Sequence, residues 1–350
     1  MAELPSTMTG VLMTGHGGPE KLEFRSDIPL PVMGERDVMI RVAAAGVNNT
    51  DINTRIGWYA KTEGNAEDAS WSGEALNFPR IQGADVAGYI VAAGSAVDQL
   101  RIGERILIEP CLTEISGQYP THPWYFGSEC NGGFAQYTVV AARHACKIES
   151  DLTDVELASF PCSYSTAENM LTRTATSAGD RVLVTGASGG VGSATVQLAK
   201  ARGAEVIAVT SLAKSKELIS LGATQTIGRD ENLKDAVGEN SVDVVIDLVA
   251  GPAWPSLLDT LRPFGRYAVA GAIAGPLVEL DVRTLYLKDL SFFGCTVLEP
   301  NVFGNLIHLI ETNAIKPLVA EVFPLAKIGE AQTVFQTKRH IGKIVLQIPD

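Results

Sequence analysis

The sequence lacks several features that mark whole classes of protein. Its five cysteines are scattered and no two of them form a CxxC pair, which argues against a disulfide scaffold and suits a reducing cytoplasm. No apolar run approaches the roughly 20 residues of a membrane-spanning helix, and no secretory signal pattern is visible. The net charge of −12 argues against a nucleic-acid or anionic-membrane surface. We therefore expect a cytoplasmic protein without nucleic-acid or membrane partners.

The 350 residues are enough for two domains with separate cores, and their pattern changes near residue 150. Before this point, segments such as Val38–Val42 and Asp85–Ala93 have the character of strands separated by glycine turns. After it, strand and helix patterns alternate, which predicts a doubly wound α/β domain around a parallel sheet of about six strands. The tail after residue 297 has two helix patterns and a terminal strand, and we expect it to pack onto the first domain.

The most informative stretch is a glycine-rich turn between a strand and a helix. A buried strand, Val182–Val184, leads into Gly186–Gly192, a helix that ends at Gly203, and a second strand, Val206–Val209. Unpaired N–H groups at a helix N-terminus bind anions, and glycines let a pyrophosphate approach closely. A glycine turn can also serve packing alone, but here all four elements stand in the order that a dinucleotide motif requires. The stretch therefore predicts a dinucleotide site.

The residues after the second strand indicate which dinucleotide binds. An NAD site usually has Asp or Glu there, roughly 20 residues past the glycines, to bind the ribose 2′-hydroxyl. This chain has Thr210, Ser211 and Lys214 instead, without a carboxylate. Hydroxyls and a cation suit a 2′-phosphate, so the sequence predicts NADP(H), with Ser211 and Lys214 as phosphate contacts. The alternative is that Lys214 is an ordinary solvated residue of the next helix.

Two polar segments with aromatic side chains interrupt the β-rich part, at residues 55–80 and 113–133. Long loops that carry aromatics often line binding sites. Aromatics also pin a long loop to the body of a domain, and the sequence leaves both interpretations open. The aromatic and histidine residues concerned are Trp58, Tyr59, Trp71, His122, Trp124, Tyr125 and Phe126.

Further short motifs are dispersed along the chain. They are Ala45–Asp51 (AGVNNTD), Gly83–Gly88 (GADVAG), Gly103–Arg105 (GER), Gly132–Tyr137 (GGFAQY) and Gly342–Val345 (GKIV). With these motifs and the glycine turn, the chain resembles the medium-chain dehydrogenase/reductase superfamily over essentially its full length. The resemblance implies a GroES-like β-rich catalytic domain, residues 1–151 and 297–350, and a Rossmann domain with a doubly wound parallel sheet, residues 152–296.

Other residues occupy the positions of the superfamily's zinc ligands. Zinc alcohol dehydrogenases have a cysteine in a GVC motif and a histidine in a GHE motif, where this chain has Asn48 and Ala84. The third position has Cys162, but a catalytic zinc site needs three protein ligands. The structural-zinc lobe is also missing, since Cys111 and Cys130 have no partners at ligand spacing. The resemblance therefore implies no metal, with Cys162 as a buried thiol near the active site.

The GVN form and the glycine turn are similar to those of the zinc-independent quinone oxidoreductase branch. This resemblance implies NADPH-dependent reduction of quinones, α,β-unsaturated ketones or related activated alkenes. It also implies a homodimer or homotetramer, often paired through the last Rossmann strand, here Leu290–Thr296, whose edge would otherwise favour aggregation. Segments 55–80 and 113–133 depart from compact members of the branch and leave the substrate open among quinones, enones and aldehydes.

Hydride transfer without a metal needs a positioned nicotinamide, exclusion of water and donors that polarise the acceptor carbonyl. The resemblance implies that Asn48, at the vacated ligand position, meets the carbonyl or the nicotinamide ribose, and that Thr50 replaces a proton-relay hydroxyl. Tyr59 and Tyr164 are further candidates for polarising the carbonyl or supplying a proton. Asn48 can instead shape a turn and Tyr164 can be packing, so no single catalytic acid is favoured.

The predicted cofactor contacts lie on the glycine turn and on loops at the carboxyl ends of the parallel strands. Arg229, just after the third strand, is a second candidate phosphate contact by its position in the family. The full predicted set is Asn48, Thr166, Ala187, Ser188, Gly189, Gly190, Val191, Ser211, Lys214, Arg229, Leu248, Val249, Gly271 and Ala272.

Two other functions stay open. One is an alcohol or aldehyde dehydrogenase that keeps zinc in an atypical site, which stoichiometric zinc in the purified protein would indicate. The other is a weakly catalytic NADPH-binding interaction protein, which tight NADPH binding without turnover would indicate.

Overall fold

The computed structural model describes residues 4–60, 70–71 and 75–350. Part of the predicted segment 55–80 therefore lies outside the described residues. None of the helices in the described ranges is long and apolar enough to cross a membrane.

The chain divides into two compact units. Met1–Cys162 and Pro317–Asp350 form the first, and Ser163–Lys316 forms the second. The strands that the described residues form are, in chain order, β1 (Thr7–Met13), β2 (Leu22–Pro29), β3 (Asp37–Gly46), β4 (Asp85–Ala93), β5 (Arg105–Ile108), β6 (Cys111–Leu112), β7 (Trp124–Tyr125), β8 (Tyr137–Ala141), β9 (Ala145–Lys147), β10 (Arg181–Val184), β11 (Glu205–Thr210), β12 (Gln225–Gly228), β13 (Val242–Asp247), β14 (Leu261–Val269), β15 (Ser291–Gly294), β16 (Val319–Pro324) and β17 (Lys343–Gln347). The α-helices of the same residues are α1 (Asn49–Arg55), α2 (Asp154–Leu157), α3 (Pro161–Arg173), α4 (Gly190–Ala201), α5 (Ser215–Leu221), α6 (Leu233–Val237), α7 (Trp254–Thr260), α8 (Val282–Leu287), α9 (Val302–Glu311) and α10 (Ile328–Gln336).

The first unit is organised around β3. This strand pairs antiparallel with β4, β8 and β17, and the sheet runs in the order β16-β17-β3-β4-β5-β9, with β8 also on β3. Its apolar side chains Val38, Ile40 and Val42 are fully buried in the core of the unit. Two smaller two-stranded sheets, β1-β2 and β6-β7, accompany it in the described residues. The pairing of β17 with β3 brings the start of β17 beside the start of α1.

The second unit contains a six-stranded sheet in which all neighbours are parallel. Its order is β12-β11-β10-β13-β14-β15, so the strand order reverses between β10 and β13. Such a reversal opens a crevice at the carboxyl ends of the strands, where α/β proteins bind their ligands. The sheet buries an apolar core that includes Leu183, Ile207 and Val245. This topology confirms the doubly wound parallel sheet that the sequence predicts.

Both unit boundaries lie later along the chain than the sequence analysis placed them. Residues 152–162 belong to the first unit, where Asp154 forms an ion pair of 2.6 Å with Arg105. Residues 297–316 belong to the second unit, where the Asn169 side chain donates to the Val297 carbonyl at 3.0 Å. The predicted boundaries followed changes in local pattern, whereas the two units are defined by contacts between residues that are distant in the sequence.

Candidate active site

Asn48 lies between the end of β3 and the first residue of α1. Both the nitrogen and the oxygen of its side-chain amide form hydrogen bonds. Its Nδ2 donates to Asp85 Oδ2 at 2.9 Å, and its Oδ1 accepts a hydrogen bond from Lys343 Nζ. Its backbone N–H donates to Asp51 Oδ2 at 2.7 Å, across the first turn of α1. The amide is thus engaged within the protein, which favours a structural role over the predicted contact with a carbonyl.

Lys343 and Asp85 form an ion pair that is fully buried in the first unit. Lys343 Nζ lies 2.6 Å from Asp85 Oδ2, and the backbone N–H of Cys162 donates to Asp85 Oδ1 at 2.5 Å. Lys343 begins β17 and Asp85 begins β4, so the first residues of two strands meet here beside the start of α1. Buried charges are tolerated when they are paired and hydrogen-bonded, and this pair meets both conditions.

Asp51 is a buried carboxyl group on α1 beside this ion pair. Burial raises its pKa from 3.8 to about 7, although the bond from Asn48 and the charge of Lys343 lower it. Its backbone carbonyl also accepts a hydrogen bond of 2.8 Å from the Gln82 side chain. The charge of Asp51 therefore changes near neutral pH.

Tyr125 and Cys162 form a phenol–thiol pair in the same unit. Tyr125 Oη lies 2.9 Å from Cys162 Sγ, and either atom can be the donor. The ring of Trp71 packs on that of Tyr125 at 5.2 Å between centroids, and Ala84 completes the cluster. Burial raises the pKa of Cys162 to about 12 and the pKa of Tyr125 well above its ordinary value, so both groups keep their protons at neutral pH. The sequence marks Tyr125 only as one aromatic of segment 113–133.

Thr50 and Tyr59 lie together on and just after α1. The Tyr59 hydroxyl donates to Thr50 Oγ1 over a long 3.4 Å, and its ring packs edge-on against Trp58. Burial raises the pKa of Tyr59, and the hydrogen bond to Thr50 opposes this shift. The structure thus brings two of the predicted catalytic candidates into contact.

Tyr164 has a different setting, in the second unit. Its hydroxyl donates to the Lys316 carbonyl at 2.7 Å and accepts a hydrogen bond of 2.8 Å from Gln197. The side chain is almost fully buried, and burial raises its pKa. These bonds join α3, α4 and the segment after α9, which agrees with the packing interpretation.

The glycine-rich turn connects β10 to α4. Gly186 has φ of +58°, in the left-handed region that favours glycine. A Cβ atom on Gly192 would clash with the Gly186 carbonyl and would lie 2.6 Å from Ala187 Cα, so only glycine fits there. Gly189 is the N-cap of α4 and is exposed. Gly190 and Val191 are the first two residues of this helix. The turn fits a pyrophosphate because glycines leave its backbone open to close approach.

Hydroxyl groups and cations gather at the end of β11, where the sequence predicts the 2′-phosphate site. Lys214 Nζ donates to Ser188 Oγ at 3.3 Å. The pKa of Lys214 is lowered by burial and then by the nearby charge of Arg229. The buried hydroxyls of Thr210 and Ser215 have no hydrogen-bond partner among the described residues. Two neighbouring cations and two unsatisfied hydroxyls make this place suited to an anion.

Asp247 fixes the loop that follows β13. Its Oδ1 accepts from Thr185 Oγ1 at 2.6 Å and from the backbone N–H groups of Val249 and Ala250, while Tyr267 donates to Oδ2. Asp247 was not among the predicted site residues, although an acidic residue that ends an apolar strand is a visible signal in the sequence.

The loops that follow β13 and β14 lie against each other. A Cβ on Gly271 would lie 2.8 Å from the Leu248 carbonyl. The predicted contacts Leu248, Val249, Gly271 and Ala272 therefore form one surface, while Thr166 lies on α3 of the same unit.

The comparison with known proteins matches both parts of the chain. Residues 34–150 match the alcohol dehydrogenase GroES-like domain, and residues 190–312 match the zinc-binding dehydrogenase domain. A solved structure from Sinorhizobium meliloti 1021, provisionally assigned as an alcohol dehydrogenase, is 43% identical over 100% of this chain and 99% of that one, with a TM-score of 0.90. The chain belongs to the medium-chain dehydrogenase/reductase superfamily.

Within this superfamily the chain belongs to the quinone oxidoreductase-like branch, as its similarity to the following relatives shows. The quinone oxidoreductase of Lama guanicoe is 29% identical, with 99% of each chain covered. The chloroplastic NADPH-dependent alkenal/one oxidoreductase of Arabidopsis thaliana is 29% identical over 99% of this chain and 81% of its own length. The chain is therefore an oxidoreductase that combines a GroES-like unit with a Rossmann unit and uses NAD(P)(H).

The residues at the superfamily's zinc-ligand positions are Asn48, Ala84 and Cys162, and all three lie in the first unit. Asn48 and Cys162 both bond to Asp85, and Ala84 is buried against Tyr125. Within residues 4–60, 70–71 and 75–350, no three His, Cys, Asp or Glu side chains are grouped as metal ligands. Independence of zinc stays a prediction.

Proposed function

We propose that this oxidoreductase uses NADPH to reduce quinones and α,β-unsaturated carbonyl compounds without a metal. The printed activities of its Lama guanicoe and Arabidopsis thaliana relatives support this substrate class. The observation that carries the cofactor choice is the group of cations and unsatisfied hydroxyls after β11. A 2′-phosphate would bring negative charge to the neighbouring cations Lys214 and Arg229, whereas a 2′-hydroxyl would not.

The chain's own residues have separate tasks in this proposal. The turn Gly186–Gly192 would bind the pyrophosphate through backbone N–H groups, and Ser188, Ser211, Lys214 and Arg229 would bind the 2′-phosphate. The surface formed by residues 248–249 and 271–272 would lie along the cofactor, with Asn48 and Thr166 as further predicted contacts. When bound, NADPH supplies the hydride.

The buried ion pair supports chemistry without a metal. The ammonium group of Lys343 bonds directly to Asn48, the residue at the first zinc-ligand position. A divalent cation placed there would meet this positive charge, an amide and the methyl group of Ala84 instead of thiolate and imidazole ligands.

Turnover by the purified protein tests the proposal. We expect oxidation of NADPH when a quinone or a conjugated enone is added, with the same rate after dialysis against a chelator. A lack of turnover across a broad panel of both acceptor classes would contradict the proposed function.

A second candidate is an alcohol or aldehyde dehydrogenase. The relative from Sinorhizobium meliloti 1021, with its provisional assignment to alcohol dehydrogenases, favours it. Elemental analysis with an alcohol and aldehyde panel distinguishes the two functions. Stoichiometric zinc and loss of alcohol oxidation on chelation would favour this second function.

We further expect a homodimer or homotetramer in the cytoplasm. β15 ends the described parallel sheet, and one of its side chains, Phe292, is 37% exposed. The five cysteines all lie in the described residues and form no disulfide there, which agrees with a reducing compartment.

A further inference from the structure

The hydroxyl group of Tyr125 has a thiol, that of Cys162, as its hydrogen-bond partner at 2.9 Å. A thiol is a weak hydrogen-bond acceptor, so a buried phenol bonded to sulfur keeps most of its capacity to donate. The two residues are each 8% exposed, so the pair is largely but not completely buried. It lies beside Ala84 and next to the backbone bond between Cys162 and Asp85.

We propose that Tyr125 is a catalytic residue that donates a hydrogen bond from its hydroxyl to the carbonyl oxygen of a conjugated substrate. This inference rests on the proposed function and names the group that polarises the acceptor. In the substrate complex the phenol exchanges its sulfur partner for a carbonyl oxygen, which is a stronger acceptor.

The hydrogen bonds of the other candidates favour Tyr125. Asn48 has its amide bonded to Asp85 and Lys343. The Tyr164 hydroxyl already donates to a backbone carbonyl in the second unit. Tyr59 already donates a hydrogen bond to the hydroxyl oxygen of Thr50. Exchanging this oxygen for a substrate carbonyl therefore stabilises the complex less than exchanging the sulfur partner of Tyr125 for the same carbonyl.

The position of Tyr125 is fixed by its surroundings. The strand β7 places it opposite Cys111 of β6, and its backbone N–H donates to Glu129 at 2.8 Å. The ring of Trp71 packs against it at an interplanar angle of 31°. A donor held in place before the substrate arrives is more effective because no reorganisation is needed. The adjacent aromatic surface suits planar, conjugated acceptors.

Burial adds a consequence for pH. Because the pKa of Tyr125 lies well above 10, the hydroxyl stays protonated through the neutral and mildly alkaline range. The hydrogen bond to the carbonyl should therefore be present over that whole range.

A chromophoric enal tests the proposal without any turnover. The absorption band of 4-dimethylaminocinnamaldehyde moves to longer wavelength when its carbonyl accepts a strong hydrogen bond. We expect this shift when the probe binds to the cofactor-free protein, and we expect Tyr125→Phe to abolish it and to weaken probe binding about threefold to tenfold. With a reducible enone and NADPH, Tyr125→Phe should lower kcat about 100-fold with a smaller change in KM.

Three further variants make the test decisive. Tyr119→Phe removes a hydroxyl from the same segment, one that is exposed and bonded to Glu114, and should leave the shift unchanged. Cys162→Ala removes the present partner of the phenol and should keep the shift. The proposal is overturned if the shift persists in Tyr125→Phe, or if Tyr59→Phe abolishes it instead. An absence of turnover combined with a shift that depends on Tyr125 would contradict the proposed function and leave the carbonyl-binding role of Tyr125 supported.

Discussion

At the scale of single residues, Asp51 links the stability of the fold to pH. Its pKa is 3.8 as a free group and about 7 in the folded chain, because burial disfavours the charged form. Between these two values the folded state holds a proton that the unfolded state has released. The contribution of Asp51 to the free energy of unfolding is therefore fully present below pH 3.8. It falls by about 1.4 kcal/mol per pH unit as the pH rises toward the pKa of the folded state.

The variant Asp51→Asn should remove this dependence. Asparagine keeps an oxygen that can accept the bond from the Asn48 backbone N–H, but it does not titrate. We expect the free energy of unfolding of the wild type, relative to the variant, to fall between pH 4 and 7 and then to level off. Urea unfolding at several pH values measures it, and a difference that is constant with pH would show that Asp51 ionises normally.

The residues around Asn48 show what local sequence can and cannot reveal. The GVN and GAD motifs predicted that Asn48 and Ala84 stand where zinc relatives have ligands. This was possible because a short motif can be recognised from neighbouring residues alone. The partners of Asn48 could not be predicted, since Asp85 is 37 residues away and Lys343 is 295 residues away. Their meeting depends on the order of strands in the sheet, which no local pattern contains.

At the scale of elements, the turn between β10 and α4 depends on Gly192. We expect Gly192→Ala to lower the free energy of unfolding by about 1–3 kcal/mol, because its methyl group would overlap the backbone of Gly186 and Ala187. The displaced turn should also weaken dinucleotide binding at least tenfold. Thermal unfolding and calorimetric titration measure the two effects.

Gly304→Ala is the matched control for that change. Gly304 lies on α9 in the same unit, and a Cβ there meets nothing within 4 Å. Alanine in a helix interior should add up to about 1 kcal/mol of stability and leave dinucleotide binding unchanged. Equal effects of the two substitutions would rule out the close approach at Gly192 as the cause.

The elements that the sequence predicted well are those with a strong period or a glycine motif. The βαβ unit was predicted in order and position, because a buried strand, a glycine turn and an apolar helix face all give clear signals. The short pair β6-β7, which positions Tyr125, was missed, because strands of two residues leave no periodic pattern. The part of segment 55–80 outside the described residues stays a prediction.

At the scale of the whole molecule, we expect the edge of the parallel sheet to pair with a second copy of the chain. β15 is the last strand of that sheet in the described residues, and Phe292, Leu287 and Tyr286 around it are exposed. We expect sedimentation velocity to show a dimer or larger assembly, and Phe292→Glu to weaken it at least tenfold. Phe24→Glu, at an exposed aromatic of the other unit, should leave the assembly intact. A wild-type monomer at micromolar concentration would refute this expectation.

The proposed preference for NADPH is tested most directly by the affinities of the purified protein for NADPH and NADH, measured by calorimetric titration. Because the cations Lys214 and Arg229 lie near each other, where the 2′-phosphate is predicted, we predict that NADPH binds at least about 100-fold more tightly. Lys214→Ala should reduce this preference at least tenfold with little change for NADH, while Lys216→Ala, an exposed lysine on α5, should not change it. Equal affinities in the wild type would contradict NADPH as the preferred cofactor, and a preference that Lys214→Ala leaves unchanged would contradict the proposed 2′-phosphate site.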